Sequence, residues 1–186
     1  MVAPVALPEV IVIEPKVFKD SRGWFYESYS ARTMELLGIR DVFVQDNHSY
    51  SARRGIIRGL HYQAPPTAQT KLVRCTAGSV LDVAVDIRFG SPTYAKWFGA
   101  VLSAENRKQL YIPSGFAHGF LTLEDDCEVQ YKVDNFYSKE HDRCIRYNDP
   151  DIGVEWGAEE ALLSEKDATA PYLKDAGKDF VWERMR

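Results

Sequence analysis

Residues 71–88 read KLVRCTAGSVLDVAVDIR, and the alternation within them decides the fold. The pair Ala77-Gly78 divides the stretch into two strand-like runs, 71–76 and 79–87. Side chains alternate across a strand with a period of two, so Leu81, Val83, Val85 and Ile87 share one face. Val80, Asp82, Ala84 and Asp86 share the other, and in the first run Lys71, Val73 and Cys75 fall together.

Similar runs recur at 42–50, 55–63, 96–102, 109–112, 117–123 and 127–136. Turn residues such as Pro65-Pro66, Gly90-Ser91-Pro92 and Pro113-Ser114-Gly115 separate them. Short strands at this spacing, without helices between, predict an antiparallel sandwich or jelly roll rather than a βαβ fold. Residues 10–29 add two strands joined by a polar turn at Lys19 to Gly23. Residues 31–37 form a short helical pattern ending at Gly38, a natural C-cap. The last forty or so residues change character: DPDIGVEW reads as loop, and AEEALLSEKDA and APYLKDA as two short helices laid over the sheet. The expectation is one domain over residues 1–186, with residues 150–186 as a C-terminal flap.

Composition narrows the partners. The chain is 45% hydrophobic and 27% charged with a net charge of −4, and it has no basic run or face to meet a nucleic acid. Three cysteines without a CxxC or a Cys/His cluster predict neither a disulfide framework nor a zinc site, but reduced thiols in a cytoplasmic protein. The N-terminus, MVAPVALPEVIVIE, lacks a basic region followed by a long apolar core. No apolar run approaches the ~20 residues of a membrane span.

A single charge on a half-exposed sheet ordinarily faces solvent. Here the cases accumulate: His61, Gln63, Lys71, Asp82, His118 and Tyr131 all lie on central-looking strands among small or apolar neighbours. A small β-barrel can hold one ligand, so these groups predict a polar pocket in an apolar cup. Arg58 and His61 have opposite parity, and both reach the pocket only if a bulge forms near Gly59 or the strand ends there. Trp24 and Phe25 read equally well as core. For His48 a structural hydrogen bond is expected, and His141 has no assignable role.

The order and spacing of EPKVFKDSRGWFYES, FVQDNHS, IIRGLHYQ, SPTYAKW, VLSAENRKQLYIPSGFAHGFLTL, YKVDNFYS, NDPDIGVEW and LSEKDATAP complete the picture. Together with residues 71–88 they make the chain resemble, over almost its whole length, the dTDP-4-dehydrorhamnose 3,5-epimerases. These are cupin-type jelly rolls acting in dTDP-L-rhamnose biosynthesis. The resemblance implies a dTDP-4-keto-6-deoxy hexose substrate whose C4 ketone acidifies the protons at C3 and C5. Inversion is easier with a base on one face of the ring and an acid on the other. By resemblance His61 is the base and Tyr131 the acid. An ordinary imidazole, with a pKa of about 6.5, accepts a proton near neutral pH, and a phenol, with a pKa of about 10, keeps its own.

The same likeness implies that Asp167 completes a His–Asp dyad and that Lys71 stands by the C4 carbonyl. It places His118 deep in the cup, with Asp82 expected to hold it. Arg22 and Arg58, with Lys166, would meet the diphosphate, a task suited to guanidinium geometry. Tyr137 would stack on the thymine, and Glu27 and the Gln45 to Asn47 segment would line the same cleft. A homodimer with exchanged N-terminal strands, residues 1–30, is implied as well, in which residues near Arg22 to Glu27 would serve the neighbour.

Many cupins hold a metal with a His-x-His pair, a carboxylate and a later histidine. Here the pair is broken by Gln63, and Lys71 cannot ligate, so neither a metal nor any cofactor is expected. The competing readings are an epimerase working at one carbon, a metal-dependent cupin, and a non-catalytic sugar-binding cupin that would have no need of the dyad.

Overall fold

The computed structural model describes residues 7–158 and 160–182. The first six residues of the expected N-terminal segment and the last four of the flap lie outside the described residues. In chain order the strands are β1 (Ile11–Ile13), β2 (Val17–Asp20), β3 (Gly23–Tyr26), β4 (Gln45–Ser51), β5 (Ile57–Gln63) and β6 (Lys71–Ala77). They continue with β7 (Ser79–Asp86), β8 (Trp97–Ser103), β9 (Gln109–Ile112), β10 (Phe116–Thr122), β11 (Cys127–Val133) and β12 (Asp142–Cys144). One sheet has the order β1-β9-β6-β11-β4 and the other β12-β5-β10-β7-β8, while β2 and β3 form a separate ribbon. All of these pairings are antiparallel, and the two sheets make the expected cupin-type jelly roll.

Strand β7 is buried on both faces, which explains its near-continuous apolar run. Val80 and Ala84 pack between the sheets with Val73, Leu102, Leu110 and Val129. Leu81, Val83 and Val85 pack outside the barrel, against Ile152, Trp156 and Leu173 of the C-terminal segment. The purely apolar face of the strand is thus the one under the flap, and the face bearing Asp82 looks into the barrel. Asp86, also fully buried, faces no solvent either. Its oxygens take hydrogen bonds from Arg88, Ser91 and Thr93 at 2.6–2.9 Å. A buried carboxylate is tolerable when its lone pairs are filled in this way.

The short helix α1 (Ala31–Leu36) starts at the Ser30 cap. Gly38, at φ +82°, ends it in a Schellman arrangement, with Ile39 N–H donating to Met34 O and Gly38 N–H to Glu35 O. Among its described residues the flap contains one short helix, α2 (Glu165–Ala168). The second expected helix is only a 3₁₀ turn, Leu173–Asp175, whose first N–H is held by the buried Asp149 carboxylate at 2.6 Å. Trp24 and Phe25 lie on the ribbon and are 57% and 70% exposed, so they are not core. His48 pairs with Glu128 at 2.8 Å on the surface, and His141 Nδ1 meets Ser138 Oγ at 2.8 Å.

The parity conflict between Arg58 and His61 is resolved by a bulge. His61 pairs with His118 but Arg58 with Phe120, so three steps on β5 oppose two on β10. The backbones approach so closely there that a Cβ on Gly59 would sit 2.5 Å from Gly119 Cα and 2.7 Å from His118 O. Gly59 also adopts φ +129°, a conformation that side chains rarely accept. Gly59→Ala is therefore expected to destabilise the fold by at least about 2 kcal/mol, combining overpacking with backbone strain. Urea denaturation checks this, and an unchanged midpoint would contradict the tight crossing.

Candidate active site

A cavity of about 580 Å³ draws its walls from both sheets and from the flap. Strands β5 and β10 contribute Arg58, His61 and His118, and strands β6 and β11 contribute Lys71 and Tyr131. Helix α2 contributes Lys166 and Asp167. Asp82 lies behind this wall, with its Oδ1 2.7 Å from His118 Nε2.

His61 Nε2 stands 2.5 Å from Asp167 Oδ1. Asp167 is the third residue after the Ser164 cap, so its backbone N–H donates to Ser164 Oγ at 3.1 Å while Ser164 Oγ–H donates to Asp167 Oδ2 at 2.9 Å. Burial works to raise the Asp167 carboxyl, but hydrogen bonds from His61, Ser164 and Cys144, with the His61 charge, hold it below its ordinary value of 3.8. The carboxylate is thus ionised and aimed. Its bond to Nε2 fixes the tautomer of a neutral His61 and leaves Nδ1 as the nitrogen that can accept a proton.

Lys71 is 7% exposed and donates to His61 O at 3.3 Å. Burial pulls its ammonium down to about 8, against the opposing pull of Asp82 and Asp142. It remains a cation at neutral pH, in a site of low dielectric where its charge acts strongly. Its Nζ lies 5.8 Å from the centre of the Tyr131 ring. Burial raises the Tyr131 phenol, and the Arg58 charge only partly opposes this, so the group stays protonated. Burial also lowers His118, with Asp82 opposing, which favours the neutral imidazole.

At the rim, Arg58 is braced by Ser51 Oγ at 3.1 Å and Tyr50 O at 2.8 Å. Lys166 and Tyr137 converge on one carboxylate, Asp142 Oδ2, at 2.6 and 3.3 Å. Asp142 lines the cavity and was not visible in the sequence, because nothing in HDRC marks a strand. Gln45 accepts from the Tyr137 backbone N–H at 3.3 Å and donates to Asn47 at 2.9 Å, which places that segment beside the same rim.

Other expected members are occupied elsewhere or lie apart. Gln63 lines the cavity, but its amide is consumed by Thr67 O, Phe136 O and the Ser138 N–H at 2.5–3.1 Å, so it ties loops rather than facing a ligand. Arg22 sits at the tip of the β2–β3 ribbon, paired with Asp20 at 2.7 Å and 88% exposed. Glu27 accepts from Thr33 at 2.9 Å near α1. Neither lines the His61 cavity within one chain: Arg22 belongs to the separate β2–β3 ribbon, and Glu27 follows it toward α1.

A base, a protonated phenol and a cation around a space of sugar size suit inversion beside a ketone, and fold and cavity together are those of a cupin-type carbohydrate epimerase. Residues 4–175 match the family model described as dTDP-4-dehydrorhamnose 3,5-epimerase. The enzyme of that name from Pseudomonas aeruginosa is 54% identical over 173 residues, covering 92% of this chain and 94% of its own. The one from Shigella flexneri is 53% identical over 171 residues, covering 91% and 94%. The crystal structure of the Legionella pneumophila dTDP-6-deoxy-D-glucose-3,5-epimerase in complex with dTDP-4-keto-L-rhamnose superposes with a TM-score of 0.92 at 46% identity, covering 97% of both chains. The chain belongs to the dTDP-4-dehydrorhamnose 3,5-epimerase family.

The buried His118 has a consequence for stability. Because its pKa in the fold lies below the ordinary 6.5, the unfolded chain takes up a proton on acidification that the folded chain refuses. The stability this neutral imidazole contributes is present above pH 6.5 and is lost as pH falls below it. Urea midpoints measured on either side of that pH are expected to drop on acidification, and to drop less in His118→Gln. An equal drop in both proteins would show that His118 takes up its proton in the folded chain.

Proposed function

We propose that this cavity inverts C3 and C5 of dTDP-4-keto-6-deoxyglucose through an enolate at C4, with His61 and Tyr131 on opposite faces of the ring. The observation that carries this reading is the His61–Asp167 pair in one cavity with Lys71 and the protonated Tyr131. His61 Nδ1 removes the proton from the carbon beside the ketone, and the electron pair moves onto the C4 oxygen. Asp167 stabilises the imidazolium, as carboxylates do in comparable triads. Lys71 stabilises the oxyanion, a role whose loss typically costs on the order of 10²–10³ in rate. Tyr131 O–H then delivers a proton to the opposite face; its phenolate recovers one from solvent and the His61 imidazolium releases one to it, which restores the starting state.

The nucleotide half of the substrate fits the rim. Arg58 and Lys166 supply cations for the diphosphate, and Tyr137 offers a ring to the thymine beside Gln45 and Asn47. Asp142 would release Lys166 to the diphosphate while still holding Tyr137. We read the barrel and flap as one domain, because the flap supplies half of the dyad. We also propose a homodimer in which Arg22 and Glu27 complete the neighbour's cleft. The exposed Phe18, Trp24 and Phe25 on that ribbon support a surface meant for covering. The reduced cysteines suit a cytoplasmic enzyme, and no helix among the described residues is long and apolar enough to cross a membrane.

Proton NMR in deuterated buffer tests the reaction: deuterium is expected at both C3 and C5, and incorporation at C3 alone would reduce the activity to one carbon. His61→Asn is expected to lower turnover by about 10³-fold or more while leaving dTDP affinity nearly intact. A fully active variant would remove His61 from the mechanism. Tyr131→Phe is expected to spare proton exchange more than net epimerisation, and equal loss of both would argue against its place on the opposite face.

A further inference from the structure

Cys144 lies on β12, directly opposite His61 in the antiparallel register. Directly opposed residues project to the same face of a sheet, so thiol and imidazole reach together toward α2. Cys144 Sγ stands 3.4 Å from Asp167 Oδ1, the same oxygen that receives His61 Nε2–H at 2.5 Å. Ser164 Oγ–H occupies the other oxygen at 2.9 Å. Burial, and then the neighbouring Asp167 charge, push the thiol up to about 12, so it is an S–H donor and not a nucleophilic thiolate. The mechanism above gives this residue no task.

We propose that Cys144 is a positioning residue of the dyad, its S–H donating to Asp167 Oδ1 and so fixing the lone pair that faces His61 Nε2. The inference rests on the dyad reading given above. The final torsion of an aspartate is soft, so a carboxylate anchored at one oxygen alone can rotate. Ser164 pins Oδ2 from the helix, and Cys144 pins Oδ1 from the sheet. With both in place the plane of the carboxylate is set by two elements of the fold. The imidazole bonded to it then has a single orientation, with Nδ1 toward the ring of the substrate. Small angular errors at a proton-transferring group are costly in rate while leaving substrate binding intact, because the misplaced atoms act only in the transition state.

Steady-state kinetics on the 4-keto sugar nucleotide test this with Cys144→Ala and Cys144→Ser, alone and in an Asp167→Asn background. In C144A, kcat is expected to fall about three- to tenfold, the worth of one modest hydrogen bond, with KM and thermal midpoint near those of the parent. C144S, which keeps a donor, is expected to recover most of the loss. In the D167N background C144A is expected to cost nothing more, since its acceptor is already altered. The downfield proton resonance of the His61–Asp167 bond should move in C144A and return in C144S. Wild-type kcat in C144A, equal losses in C144A and C144S, or an undiminished extra loss on top of D167N would each overturn the proposal. A D167N enzyme with wild-type kcat would instead overturn the dyad itself, and any positioning role for Cys144 with it.

Discussion

The pairing of Asp167 with His61 is the constraint around which the rest is arranged, because it joins two points 106 residues apart in the chain. For the carboxylate to arrive, the flap must lie along β5 in one register. Leu162 pairs through its backbone with Gly55 and Ile57 at 2.9 and 3.0 Å, extending the sheet just before α2. Just after α2, Arg146 grips the chain, its side chain donating to Ala168 O and Ala170 O at 3.1 and 3.0 Å and its backbone N–H to Pro171 O at 2.8 Å. The Arg146 guanidinium also lies 4.9 Å over the Tyr172 ring. The apolar outer face of β7 and its neighbours holds the remainder of the flap. Burying that face therefore serves packing and chemistry together, and a loosened flap would withdraw the carboxylate from its base.

The barrel interior shows how a polar site can sit inside a hydrophobic fold. Deep in the barrel, Val80, Ala84, Leu102 and Leu110 fill the space between the sheets. Four of the ionisable groups come in two pairs, His118 with Asp82 and His61 with Asp167. Removing the imidazole from either pair leaves a buried carboxylate oxygen without that donor, at a cost of about 1–3 kcal/mol, so the pairs also serve stability. Each pair is built from strands or helices that the core holds in place, so the side chains enter the reaction already oriented.

Much of this architecture was legible in the sequence, through alternation. The run 79–87 reads as a strand with one purely apolar face, and the repeated polar intrusions at 61, 71, 82, 118 and 131 mark the side that looks into the cup. The conflict between Arg58 and His61 was legible as well, and Gly59 pointed to the bulge that resolves it. Alternation could not tell that the other, apolar face of β7 is buried as well, since its cover comes from distant chain. Nor could it find β12, three residues long and polar in part, or the tasks of Asp142 and Cys144 that depend on it. Asp167 was reachable only through family likeness, because a carboxylate on a four-residue helix carries no periodic signal. Arg22 and Glu27 show the opposite limit: their motif is recognisable, yet within one chain they stand away from the cavity.

Burial shifts three titratable groups of the cavity, Tyr131, His118 and Lys71, and in each case the direction suits the proposed enolate chemistry. It raises the Tyr131 phenol, which keeps the proton that the proposed acid would deliver. It lowers His118 toward the neutral form, so this imidazole does not add a second positive charge beside Lys71. It lowers Lys71 only to about 8, so the group stays a cation at neutral pH, as the proposed oxyanion partner must. Asp167 alone is held against burial, by donors gathered from strand and helix. The same desolvation that would penalise a random set of charges thus sorts these groups into donor, neutral wall and cation. In the proposed reaction the enolate charge would form where the Lys71 ammonium already stands.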